Sequence, residues 1–106
     1  MKTFILGRTK EEVLGLLREK EIKTVALGER KICLTRIGEE YFAFEQNCPH
    51  RKANLGQGYI NNFQEIICPL HAYRFDLKSG KVSNANCPDL QVFKTQISDN
   101  GLKIFI

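Results

Sequence analysis

The chain has no apolar run long enough to cross a membrane. Its apolar stretches, such as Phe4-Ile5-Leu6, last only a few residues, where a helical span needs about 20. Met1-Lys2-Thr3-Phe4-Ile5-Leu6 begins as a signal peptide does, but Gly7-Arg8-Thr9-Lys10-Glu11-Glu12 ends the apolar stretch too early. No Pro/Ser-rich linker and no fixed-period repeat interrupts the 106 residues. One domain with one main core is therefore expected, burying roughly two-thirds of the surface of the unfolded chain. Neither a basic helix nor an aromatic stacking series accompanies the net charge of +4, which argues against nucleic-acid binding. Nothing resembles a nucleophile, a general base or a substrate-pocket motif, so a catalytic centre of its own is not expected. Histidine is scarce, with two residues, and cysteine numbers four.

Those few soft and borderline ligands are arranged in pairs. Cys48-Pro49-His50 is followed, after 17 intervening residues, by Cys68-Pro69-Leu70-His71. Each short loop offers one thiolate and one imidazole. An asymmetric two-iron two-sulfur cluster uses such a set, one iron taking two thiolates and the other two histidines. Tetrahedral zinc also accepts two Cys and two His, although zinc modules more usually space Cys-x2-4-Cys or His-x3-5-His pairs. A single buried Cys or His is commonly a packing residue; two Cys-Pro loops, each with a His at a short fixed distance, are harder to produce by packing.

The pattern resembles the Rieske ferredoxin family, whose motif is Cys-x-His followed by Cys-x-x-His. Ala72-Tyr73-Arg74-Phe75-Asp76-Leu77-Lys78-Ser79-Gly80 is similar to the stretch that follows the family's second ligand loop. Leu55-Gly56-Gln57-Gly58 resembles the turn after its first. Pro88-Asp89-Leu90 and Asp99-Asn100-Gly101-Leu102 resemble its last two strands and their turn. The likeness covers about residues 31 to 106. Ala72 departs from it, since the family usually has Gly there, and Ala is acceptable if its φ is below zero. The resemblance implies a [2Fe-2S] cluster of Rieske type held by Cys48, His50, Cys68 and His71. It also implies a subdomain of about residues 46–83 that holds the cluster. Respiratory members carry an extra Cys in each loop, forming a disulfide; Ala53 and Leu70 stand at those positions here. Cys33 and Cys87 then read as free thiols of a reducing cytoplasm.

Periodicity and turn signals give the frame. Lys2 to Gly7 can form an edge strand. Thr9-Lys10-Glu11-Glu12 is a capping box opening an amphipathic helix over 10–20, with Gly15 against it. Ile22 to Leu27, Lys31 to Ile37 and Tyr41 to Gln46 read as strands, the last two joined at Gly38-Glu39-Glu40. Tyr73, Phe75 and Leu77 alternate as in a half-buried strand, and Asp76 is expected to cap the turn to Gly80. Gln91 to Ile97 and Leu102 to Ile106 form a last hairpin. The fold class is all-β: an antiparallel β-sandwich or barrel of the Rieske type, with one short N-terminal helix.

High-potential respiratory members place a Ser hydroxyl two residues after the second His and a Tyr hydroxyl four after. Tyr73 and Phe75 occupy those positions, and Phe75 has no donor. The expected potential is low, toward about −150 mV. Together these features predict a soluble cytoplasmic electron carrier. It would pass single electrons from a flavin-dependent reductase to an oxygenase or reductase. Two alternatives stay open: a small subunit of a nitrite reductase-type complex, and a zinc-binding interaction module. Between Cys48 and Lys81, five basic residues (Arg51, Lys52, Arg74, Lys78, Lys81) face Glu65 and Asp76, a patch suited to an acidic redox partner.

Overall fold

The computed structural model describes residues 2–49, 53–70 and 72–106. The elements run β1 (Thr3–Leu6), α1 (Lys10–Leu16), β2 (Ile22–Leu27), β3 (Arg30–Ile37) and β4 (Glu40–Glu45). A 3-10 turn (Leu55–Gln57), β5 (Tyr59–Ile60), β6 (Glu65–Ile67), β7 (Arg74–Asp76), β8 (Val92–Ser98) and β9 (Gly101–Phe105) follow. Six strands form one antiparallel sheet in the order β1-β9-β8-β4-β3-β2, and β5-β6-β7 form a second, smaller one. The expected all-β class is observed.

The β3–β4 hairpin is the layer between two cores. Its register pairs Cys33 with Phe44 and Thr35 with Phe42, and, on the opposite face, Leu34 with Ala43. Cys33, Phe42 and Phe44 pack with Leu55, Ile60, Ile66, Phe75 and Leu77 from the small-sheet region. Ile32, Leu34, Tyr41 and Ala43 pack with Val13 and Leu17 around α1 and with Phe93, Leu102 and Ile104 of β8 and β9. A strand covered on both faces needs apolar side chains at odd and even positions alike. That is why Ile32-Cys33-Leu34 and Tyr41-Phe42-Ala43-Phe44 run without polar interruption.

Helix α1 begins as expected, with the Thr9 hydroxyl accepting the Glu12 amide at 3.1 Å. It ends after Leu16, short of the expected Lys20. Leu17 has already left the helix at φ −134, ψ 104, and its carbonyl accepts the Arg36 guanidinium at 2.8 Å. The Lys20 amide, at φ +59, then bonds the Arg36 carbonyl at 2.7 Å. These bonds to β3 outweigh the small helical preference of the 17–20 segment, already weakened by Gly15.

Strands β2, β3, β4, β8 and β9 lie within one residue of their expected starts and ends. β1 lies at a sheet edge, as expected. Pro88-Asp89-Leu90 is not a strand; it leads into β8, with the Leu90 amide bonded to the Gly80 carbonyl at 2.7 Å. Gly80 has φ +80, and a Cβ there would run into the Leu90 carbonyl, so only glycine fits this crossing. Among the described residues no helix is long and apolar enough to cross a membrane.

Asp76 performs its expected cap. One carboxylate oxygen accepts the Lys78 amide at 3.0 Å, the Ser79 amide at 2.8 Å and the Ser79 hydroxyl at 3.0 Å. Asp76→Ala should therefore lower unfolding stability in urea by about 1–2 kcal/mol; a loss near zero would show that solvent replaces the cap.

Candidate metal centre

The small sheet is built to present two loops from one end. Its register sets Tyr59 opposite Ile67 and Ile67 opposite Arg74. The chain enters that end from residues 53–58 and leaves it at Cys68. Ile60, Ile66 and Phe75 lie side by side one position further in, all buried. Gly58 lets β5 start hard against β6, since a Cβ there would collide with the Ile67 carbonyl.

The two loops close in the same way. The Cys48 amide donates to the Ala53 carbonyl at 2.8 Å, and the Cys68 amide donates to the Tyr73 carbonyl, also at 2.8 Å. Each loop thus spans six residues beginning at its cysteine. The first is braced below by the Leu55 amide on the Gln46 carbonyl at 2.8 Å and by a bridge between Asn47 and Asn54. Asn54 also caps the 3-10 turn, its side chain accepting the Gly56 amide at 2.8 Å. In the second loop the Ala72 amide returns to the Cys68 carbonyl at 3.0 Å.

Both cysteines are buried, Cys48 at 0% and Cys68 at 1% exposure, in the core that also holds Leu55 and Phe75. Phe75 is wholly buried in that core, so at this position the chain supplies an apolar ring and no hydroxyl. Tyr73 packs against the same core. Leu70 is 55% exposed, an apolar side chain on the outside of the second loop. The expected ligands His50 and His71, and the basic residues Arg51 and Lys52, lie outside the described residues. Of the remaining basic residues, Arg74, Lys78 and Lys81 are exposed, and Lys78 pairs with Glu40 at 3.7 Å.

Cys33 and Cys87 join the same core, Cys33 inside it and Cys87 packed against it. Neither is in a disulfide. Burial pushes the Cys33 thiol up, a contact with the Thr24 hydroxyl only partly offsetting it. Cys87 is also pushed up, first by desolvation and then by Asp89 and Cys68. Proximity of Cys87 to Cys68 follows from the return of the 81–91 segment over β7 and has no signal in the sequence. Among the described residues no three Cys, His, Asp or Glu side chains converge on a possible metal position. Cys33 and Cys87 therefore do not complete a four-thiolate set with Cys48 and Cys68. What the described residues offer is two buried thiols on matched loops, a donor set that suits the thiolate half of an asymmetric [2Fe-2S] centre.

Ala72 departs from expectation. Its φ is +56, in the left-handed region that favours glycine. The Ala72 amide bonded to the Cys68 carbonyl is one of the contacts that hold this turn. The condition under which Ala is readily accommodated here, a φ below zero, is not met, and the backbone at Ala72 is strained.

A six-stranded antiparallel sheet is thus joined by a separate three-stranded sheet that carries two cysteine loops at one end. The family model of the Rieske [2Fe-2S] domain matches residues 10–95, and the chain belongs to that family. It is 40% identical over 50 residues to the 3-phenylpropionate/cinnamic acid dioxygenase ferredoxin subunit of Escherichia coli K12, a match covering 47% of each chain. The match thus spans about half the length of that curated relative. In fold it is similar to the ferredoxin of carbazole 1,9a-dioxygenase from Nocardioides aromaticivorans IC177. The TM-score is 0.85 at 20% identity, over 99% of this chain and 98% of that one. It is similar also to a candidate nitrite reductase NADPH small subunit, with TM-score 0.82 at 20% identity over 100% of both chains.

Ala72→Gly should relieve the left-handed strain and raise the thermal midpoint, equivalent to about 0.5–1 kcal/mol. An unchanged or lowered midpoint would mean that the loop does not hold this turn in solution.

Proposed function

We propose that the chain is a one-electron carrier. In this reading Cys48 and Cys68 hold one iron of a [2Fe-2S] cluster, and His50 and His71 hold the other. Bound there, the cluster supplies a single-electron couple at a potential tuned by the surrounding groups. The observation that carries the reading is the matched pair of closed loops with their buried cysteines. The backbone bonds fix the loop that carries each cysteine, and burial in the apolar core keeps water from the sulfurs. Phe75 adds no hydrogen bond, which favours a low potential and argues against quinol oxidation.

The chain would work as one Rieske domain over 1–106, its cluster-binding subdomain at about 46–83. It acts as an electron-transfer component rather than as a catalyst. A flavin-dependent reductase is the donor and an oxygenase or reductase the acceptor, in keeping with the dioxygenase ferredoxin subunit among its relatives. The absence of a disulfide at Cys33 and Cys87, and Ala53 and Leu70 where respiratory relatives pair cysteines, suit the cytoplasm. The fold likeness to a nitrite reductase small subunit keeps a subunit role as the second reading. Co-purification with a large reductase subunit, against purification alone, separates the two.

Protein purified without oxygen should contain about two irons and two acid-labile sulfides per chain, and Cys48→Ser or His71→Ala should abolish the cluster. One zinc and no sulfide would overturn the assignment in favour of a zinc module. The midpoint potential measured by protein-film voltammetry should lie below zero, and Phe75→Tyr should raise it where the new hydroxyl reaches the cluster. A wild-type value near the upper end of the Rieske range, about +300 mV, would contradict the low-potential reading.

A further inference from the structure

Beyond β7 the chain turns back along its own strand. The Asp76 amide bonds the Lys81 carbonyl at 2.9 Å, Phe75 bridges Val82, and the Ser83 amide bonds the Arg74 carbonyl at 2.9 Å. A backbone ladder would continue toward the second cysteine loop, but the main-chain pairing stops at Ser83. The side chain of Asn84 takes over. Its Oδ1 accepts the Arg74 amide at 2.8 Å, and its Nδ2 donates to the Ala72 carbonyl at 3.1 Å. A primary amide carries one acceptor and one donor in the same plane, as a peptide unit does. Asn84 therefore extends the ladder by one pair, across Tyr73, onto the residue held at φ +56.

We propose that Asn84 is a positioning residue for the second cysteine loop. It keeps Ala72 in the left-handed turn that the Ala side chain resists, and so fixes the loop from which Cys68 projects. The proposal rests on the reading of Cys68 as a cluster ligand. Both bonds are needed. Alanine removes both; aspartate keeps an acceptor for Arg74 but has no donor for the Ala72 carbonyl and sets a charged oxygen against it. Asn84 is exposed and outside the core, so its loss should leave global folding nearly intact and act on the loop. Glycine at position 72 adopts the same turn without strain, so the loop then depends less on Asn84.

The test follows loss of visible cluster absorbance under an iron chelator for the holoprotein and for Asn84→Ala, Asn84→Asp, Ala72→Gly and the Asn84→Ala/Ala72→Gly double variant. EPR spectra of the reduced forms are taken alongside. Asn84→Ala should lose the cluster about tenfold faster than wild type, as expected for two surface hydrogen bonds, and Asn84→Asp by a similar factor, since it loses one bond and sets a charged oxygen against the Ala72 carbonyl. Both should also show altered g-values. In the Ala72→Gly background the Asn84→Ala effect should fall to about threefold or less. Equal loss rates and identical spectra for wild type and Asn84→Ala would overturn the proposal. So would an effect of the same size in both backgrounds, which would make Asn84 a general surface contact. If Asn84→Ala does not fold, the Asn84→Asp comparison decides by the same criteria. A wild-type protein that binds no iron would instead defeat the cluster reading itself.

Discussion

Two thiols must be buried in one apolar core while their backbone amides stay hydrogen-bonded, and the other elements are arranged around that requirement. A protonated thiol is at ease in such a core, but a thiolate is not unless a metal takes up its charge. Cys48 and Cys68 satisfy the backbone half through the same device, each amide donating to the carbonyl five residues on, at Ala53 and Tyr73. Closing each loop on itself frees the small sheet from having to pair those residues. That sheet can then be short: two residues in β5 and three each in β6 and β7. A sheet so small has little core of its own. It gains one from the β3–β4 hairpin, which gives Cys33, Phe42 and Phe44 to this side and keeps Ile32, Leu34 and Ala43 for the other.

The large frame is legible in the sequence because its strands are long and their turns carry glycine. Gly28 and Gly38 both adopt positive φ at two-residue hairpin turns, and Ile22–Leu27 forms as the pattern predicts. The Asp76 cap and the Thr9 cap are legible for a similar reason, since both are local hydrogen bonds between residues three apart or fewer. β5 and β6 are not, because Tyr59-Ile60 and Ile66-Ile67 are adjacent apolar pairs with no alternation around them. The early end of α1 is hidden because it depends on Arg36, which lies 19 residues beyond Leu17. Ala72 misleads because its conformation is set by hydrogen bonds to other residues, Cys68 and Asn84, rather than by its own preference.

For the centre itself, the spacing of Cys48 and Cys68 is enough to mark the two loops. The supporting residues are not visible that way. Asn84 and Cys87 come to the second loop only because the 81–91 segment folds back over β7, and no local pattern announces that return. The missing hydroxyl of Phe75 is plain from its residue type alone. Its complete burial in the core that also holds both cysteines adds that its ring is part of the packing there.

The proposed centre draws on a different ligand type in each half, with imidazoles opposite thiolates. The chain has only two histidines and four cysteines, so the ligand types can be counted directly. Pulsed EPR of the reduced protein should show strong couplings from two histidine nitrogens, and these should change when the protein is grown with 15N-histidine. A cluster without strongly coupled histidine nitrogen would contradict the account and point to ligation by cysteine alone.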